Sequence, residues 1–241
     1  KSGDFNLADS YVSVLEALKH AGAQLKLKIN IVWINTEENI DLKNIDGLIV
    51  PQGWGSRGVE GKIKAVQYAR ENKIPYLGLC FGMQMAVIEY ARNVCHLKSA
   101  NSEEVDPKTK YPVIHVMEDQ KKYLEKHQYG GTIRLGQWPA VINKKSKLFD
   151  LYKQDKVMER HRHRYEFNNK YRKILEKFGL KVSATSPDGK LVEAIELSDH
   201  PFFIGTQYHP ELQSRPLTPH PLFVGFLEAC LKYENQNKKI Q

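Results

Sequence analysis

Ten residues constrain this chain more than any others. In Pro75 to Gln84, PYLGLCFGMQ, an apolar run passes straight into Gly78-Leu79-Cys80-Phe81-Gly82, and a helical pattern follows to about Arg92. A strand hands over to a helix this quickly only through a tight turn whose flanking backbones nearly touch, hence a glycine two residues either side of Cys80. Such a turn lifts the thiol above the carboxyl end of the strand, where open α/β sheets bind ligands. It also sets the sulfur at a helix N-terminus, whose partial positive charge favours the thiolate. Cys80 is therefore a candidate nucleophile. The plain alternative is a buried cysteine in a glycine-containing turn.

The rest of the first hundred residues suits that turn. Asp9 and Ser10 can cap a helix whose apolar positions Val14, Leu15 and Leu18 recur at helical spacing, with Gly22 at its end. Ile29 to Ile34 (INIVWI) reads as a strand and Gly47 to Val50 as another. A glycine-rich turn, a helix from about Val59 to Glu71 and a strand from Ile74 to Leu79 follow. Short apolar runs separated by helices indicate parallel strands buried on both faces, so the fold class is α/β, a mostly parallel central sheet flanked by helices in a single domain. The second half reads as strands at Val113 to Met117, Gly131 to Leu135, Lys181 to Ala184, Leu191 to Leu197 and Phe202 to Gln207. Helices are expected near Lys170 to Phe178 and Pro221 to Tyr233, and Ser99 to Gln128 reads as loop plus edge structure.

Composition removes other classes. With 41% hydrophobic and 27% charged residues in 241, the chain is an ordinary globular one, and no apolar run approaches a membrane span. Three cysteines without a CxxC pair make no disulfide framework and favour a reducing, cytoplasmic setting. The net charge of +8 comes from scattered lysines with no nucleic-acid-binding motif, so it reads as a solvated surface, with no nucleic acid and no membrane as partner.

A thiolate that attacks an acyl carbon needs a group to protonate the leaving group. Of nine histidines, His209 stands out: it ends the apolar run Phe202 to Tyr208, and Glu211 two residues on can fix its tautomer. The plain alternative is a surface turn histidine. His161, Arg162, His163 and Arg164 alternate so that one strand would present both imidazoles on one face. No Cys or Asp partner stands at metal-like spacing, so zinc is disfavoured. Cys95 and Cys230 sit in helical patterns and read as small buried apolar residues.

GLCFGMQMAVIEYARNV, PQGWGSRGVEGK, GGTIRLG, ERHRHRYEFN and HPFFIGTQYHPELQSRP together resemble the glutaminase domains of CTP synthases, within the class I (triad) glutamine amidotransferases, in order from about Asp4 to Leu227. The resemblance implies a flavodoxin-like fold and a glutamine-hydrolysing triad of Cys80, His209 and Glu211. It also implies glutamine-binding positions at Gly53, Phe81, Gly82, Met83, Gln84, Glu104 and Arg164. Glu104 suits the substrate's α-ammonium and Arg164 its α-carboxylate, while the N–H of Phe81 and the loop at Gly53 suit an oxyanion hole. The implied partners are L-glutamine and an N-terminal synthetase domain that aminates UTP, in a homo-oligomer when full length. No metal or other cofactor is implied for residues 1–241, and ATP and Mg are expected in the synthetase domain. That domain and the family's first strand are expected to lie outside this sequence.

One departure bears on activity. The family has PGGFG where this chain has Pro51-Gln52-Gly53-Trp54-Gly55, and Gln52 is harmless only if its φ is negative. Three readings follow: the glutaminase part of a CTP synthase, a stand-alone amidase or γ-glutamyl hydrolase of the same fold, or an inactive regulatory homologue.

Overall fold

The computed structural model describes residues 8–38, 40–117 and 133–238. Its first half runs α1 (Val12–Leu25), β1 (Leu48–Val50), α2 (Val59–Glu71), β2 (Tyr76–Leu79), α3 (Phe81–Asn93), β3 (Ala100–Ser102) and β4 (Tyr111–Val116). The second half runs β5 (Arg134–Ile142), α4 (Lys147–Tyr152), β6 (Lys156–His163), β7 (Tyr165–Phe167), α5 (Arg172–Lys177), β8 (Leu180–Thr185), β9 (Val192–Leu197), β10 (Phe203–Thr206) and α6 (Pro221–Lys238).

Seven strands form the main sheet in the order β1-β2-β10-β9-β8-β5-β6, and β3-β4-β7 form a small second sheet. The main sheet is mixed rather than mostly parallel. β2 pairs in parallel with β1 and with β10. From β10 onward the pairings to β9, β8, β5 and β6 are antiparallel. Parallel neighbours need a long crossover, which the first half supplies with helices; the shorter connections of the second half return the chain antiparallel. All residues of β2, β9 and β10 are buried, since helices cover both faces. One face carries α2 and α3 with Ile63, Val66, Met85 and Ile88 in its core. The other carries α1 and α6 with Leu18, Leu222, Phe223 and Phe226.

Three expectations change. Residues 29–34 form no strand: the segment follows α1 without pairing to any of the described residues, and Val32 and Trp33 are exposed. A groove of about 590 Å³, lined by Leu18, Ile29, Trp33, Leu48, Ile49 and Leu227 among others, lies along this segment beside edge strand β1. Helix α1 is not capped by Asp9 or Ser10; Tyr11 precedes it without a side-chain cap bond, and the helix runs past Gly22 to Lys26, which closes it at φ 55°. Gly22 is needed for packing instead, because a Cβ there would lie 2.8 Å from Ile29 Cδ1.

Three short elements were not expected, α4, β3 and β7, and of β6 only the alternation of His161 to Arg164 was. Helix α4, capped by Ser146 accepting from the Phe149 N–H, has only 6 residues, too few to show a repeat. Strand β6 buries Glu159, His161 and His163, so its inward face is polar and no apolar alternation marks it. The strand read from Gly131 begins outside the described residues; its described part continues to Ile142.

Candidate active site

The β2–α3 junction is the strained turn that the glycine spacing requires. Cys80 has φ 52° and ψ −97°, a conformation costing a non-glycine residue roughly 1–3 kcal/mol. A Cβ on Gly82 would sit 2.0 Å from the Val50 carbonyl oxygen, and one on Gly78 would sit 2.8 Å from the Gly82 carbonyl carbon. No side chain fits either place. The Cys80 N–H donates to the Thr206 carbonyl at 2.7 Å, tying the turn to the end of β10.

Parallel pairing puts Thr206 opposite Leu79, so the residues after β10 emerge beside Cys80. The His209 N–H donates to the Arg160 carbonyl at 2.8 Å. A short 3-10 turn from Pro210 to Leu212 brings Glu211 back, and its Oε1 lies 2.7 Å from His209 Nδ1. Both side chains are buried. Nδ1–H donating to Glu211 leaves Nε2 without a hydrogen bond of its own. Burial opposes charge on this imidazole, but the adjacent Cys80 sulfur and Glu211 outweigh it and push the pKa up to about 10. The upward shift favours the imidazolium form, a proton donor beside the sulfur.

The loop 51–58 covers the start of α3. Gly53 lies over the Phe81 ring, where an added Cβ would make ordinary contact at 3.5 Å. The Gly55 N–H donates to Glu104 Oε1 at 3.0 Å, so Glu104 holds the loop from below. Burial raises the Glu104 pKa, while the Gly55 N–H and nearby Arg164 pull it back. Gln52 does not adopt a positive φ, and its side-chain amide donates to the Ser10 carbonyl at 3.1 Å. The substitution thus brings no left-handed strain to the loop. Exposed Trp54 is stacked by the Arg162 guanidinium, 5.4 Å from the ring centre.

On α3, Gln84 is buried; its Nε2 donates to the Tyr165 carbonyl at 3.1 Å and to Gln207 Oε1 at 3.3 Å, while its Oε1 has no partner. The Met83 side chain faces the sheet, where a Cβ on Gly205 would come within 2.9 Å of it, so only its backbone can serve a ligand. Gly82 likewise offers backbone alone. His161 and His163 do share the inward face of β6, their rings hydrogen-bonded at 3.0 Å, with Arg162 outside. His163 Nδ1 lies 3.0 Å from the Tyr165 carbonyl, which makes Nδ1 the donor and Nε2 the acceptor from His161. Burial, with the Arg134 charge, holds His163 down to about 3, and burial with its two neighbours holds His161 lower still. Burial thus keeps both rings neutral, with the unprotonated Nε2 of His161 left without a hydrogen-bond partner near the Arg134–Glu193 ion pair, which is closed at 2.7 Å. Among the described residues no group of three or more His, Cys, Asp or Glu side chains could hold a metal ion. Burial pushes Cys95 up to about 11 and Cys230 up to about 12, so neither is a ready nucleophile.

Sequence reasoning missed Gln207. Its Nε2 lies 3.6 Å from Cys80 Sγ. The available signal was an amide side chain in an otherwise mostly apolar run, two residues before His209.

Residues 6–229 match the family model described as glutamine amidotransferase class-I. This chain belongs to the class-I glutamine amidotransferase family. Within that family it is similar to CTP synthases: 57% identical to that of Caldanaerobacter subterraneus subsp. tengcongensis, over 96% of this chain and 44% of that protein. With the CTP synthase of Bacillus subtilis it shares 52% identity over 95% of this chain and 44% of that protein. The solved glutaminase domain of Trypanosoma brucei CTPS, with bound acivicin, aligns at a TM-score of 0.87 and 38% identity, covering 95% of this chain and 92% of that one. The chain thus spans less than half the length of the curated relatives it matches. Among the described residues no helix is long and apolar enough to cross a membrane.

Proposed function

We propose that this chain hydrolyses L-glutamine through Cys80, His209 and Glu211 and releases ammonia. The observation that carries the reading is geometric: the His209 imidazole, held by Glu211 at 2.7 Å, stands beside the sulfur of a strained strand-to-helix turn. A thiolate facing a fixed proton donor is the equipment for acyl transfer.

The Cys80 thiolate attacks the side-chain amide carbon of glutamine, and the carbonyl electrons move to oxygen. The backbone N–H groups of Phe81, at the open N-terminus of α3, and of Gly53 stabilise that oxyanion. His209 gives its Nε2 proton to the amide nitrogen, the C–N bond breaks, and ammonia leaves. Water, deprotonated by the now neutral His209, then attacks the thioester, and glutamate departs as the C–S bond breaks, restoring the Cys80 thiolate and the His209 imidazolium. Glu211 keeps Nδ1 protonated throughout, so that Nε2 faces the reacting atoms. The orphan Gln84 Oε1 is an acceptor for the substrate's α-ammonium alongside Glu104, and Arg164 takes its α-carboxylate. The backbones of Gly82 and Met83 line the base.

The ammonia would serve an ATP-dependent amination of UTP in a separate N-terminal synthetase domain, as the CTP synthase relatives suggest. That domain would hold the ATP and Mg, and the full-length protein would be a cytoplasmic homo-oligomer. The test is an electrophilic glutamine analogue followed by peptide mapping. Label on Cys80 alone, competed by glutamine and matched by loss of glutamate release, supports the reading. Label confined to Cys95 or Cys230 overturns it.

A further inference from the structure

We propose that Gln207 is a further catalytic residue of this centre: its side-chain amide donates a hydrogen bond to the Cys80 sulfur and holds the thiolate toward the substrate. The proposal rests on the reading of Cys80 as the nucleophile.

The geometry comes from a chain of donors with only one consistent direction. The Tyr165 carbonyl is an acceptor and nothing else, so the Gln84 group 3.1 Å from it is the NH2. That same NH2 lies 3.3 Å from the Gln207 amide, which must therefore turn its oxygen toward Gln84. The remaining end of the Gln207 amide, its own NH2, then faces Cys80 Sγ at 3.6 Å. An acceptor on β7 thus sets which way an amide points at the nucleophile, through two side chains that are both almost wholly buried. The Tyr165 carbonyl also takes the His163 Nδ1–H at 3.0 Å, so its position is fixed from a second side.

The backbone supports the same placement. The Gln207 N–H donates to the Glu193 carbonyl at 2.8 Å, just past the Thr206–Ala194 pair of β10 and β9. Residue 207 is thereby pinned to the sheet while the Cys80 N–H is pinned to Thr206. A neutral donor beside the sulfur complements His209. The imidazolium must give up its proton during turnover, whereas the amide cannot be deprotonated and supplies a constant donor to the anion when it forms and when it is released from the thioester. In a water-poor site a donor to an anion is worth more than one to a neutral group.

The test uses the full-length protein and two variants, Gln207→Met, of similar length without a donor, and Gln207→Glu, which keeps the shape and places an oxygen against the sulfur. Iodoacetamide alkylation of Cys80 is followed against pH by peptide mapping, with kcat and KM for glutamine measured in parallel. Gln207→Met should slow alkylation at pH 7 by roughly tenfold, move the pH–rate profile up by about one unit, and lower kcat by a similar factor with KM changed less than about twofold. Gln207→Glu should lose more, roughly a hundredfold, and it carries the test if the methionine variant does not fold. Wild-type pH profiles in the folded variants overturn the proposal, as does a change confined to KM, which would make Gln207 a substrate contact. If wild-type Cys80 is neither alkylated nor needed for glutamate release, the glutaminase reading itself has failed, a different and separately visible result.

Discussion

Residues 29–34 and residues 76–79 are both apolar runs with strand-forming composition, yet they end differently. Tyr76–Leu79 lies between two parallel partners, is buried along its whole length, and presents Cys80 at its end. The INIVWI run lies beside a groove next to edge strand β1, pairs with no strand among the described residues, and exposes Val32 and Trp33. Strand propensity describes fitness for a pleated, half-buried surface, so without a ladder partner it is not expressed. The same contrast separates function from tolerance: the site rests on backbone contacts with no spare room, and the edge segment does not.

The most severe way to break that contrast is to act on the proposed nucleophile alone. Cys80→Ser should lower glutamate release by roughly 10³-fold or more with little change in melting temperature, because the turn and its contacts remain. Activity surviving that change would remove the site from this end of the sheet. Next in size is the seam beneath it. Gly82→Ala should destabilise by about 3 kcal/mol or more, since its Cβ would lie 2.0 Å from the Val50 carbonyl oxygen, whereas Val32→Ser should stay within about 0.5 kcal/mol. Urea midpoints for the two variants measure the difference directly; equal midpoints would erase it.

His209→Ala should lower kcat by roughly 10²-fold, and Glu211→Gln by less, because the imidazole remains but loses its fixed orientation. Glutamate release under saturating glutamine ranks the two, and the reverse ranking would contradict their roles. A pH scan of thermal stability should sharpen the comparison further. Burial holds His163 and His200 neutral down to about 3 and about 4. Unfolding returns them to near 6.5, so below that the unfolded chain binds more protons, and stability falls as pH drops, by roughly 2 kcal/mol each at pH 5. His209 has the opposite sign: with its pKa raised to about 10, its contribution is complete below 6.5 and is lost as pH rises through 10. The melting temperature should therefore peak near neutral pH; a maximum at pH 5 would contradict the buried neutral imidazoles, and a melting temperature that does not fall between pH 7 and 10 would contradict the raised His209 pKa. The smallest effect belongs to Gln52→Gly. With no positive φ to relieve, turnover should change less than about threefold. A large gain would mean that the side chain obstructs the loop.

Much of this was readable in the residues themselves. Glycine spacing about Cys80 required the tight turn, and a helix at 59–71 and the run ending at Tyr208 followed from local pattern, because sterics and periodicity act over a few residues. The placement of Cys80, His209 and Glu211, proposed here as the triad, was legible for the same reason: each marks a strand end or a turn. What only the tertiary structure decided involves partners distant in sequence. It determined that β9, β8, β5 and β6 join antiparallel, that β6 hides a polar inner face against Glu193, and that INIVWI finds no strand partner among the described residues. It also brought Gln84, Tyr165 and Gln207 into one directed chain of hydrogen bonds. No local pattern encodes these, because whether a buried amide shows its nitrogen or its oxygen to a sulfur depends on which acceptor the fold carries to its other end.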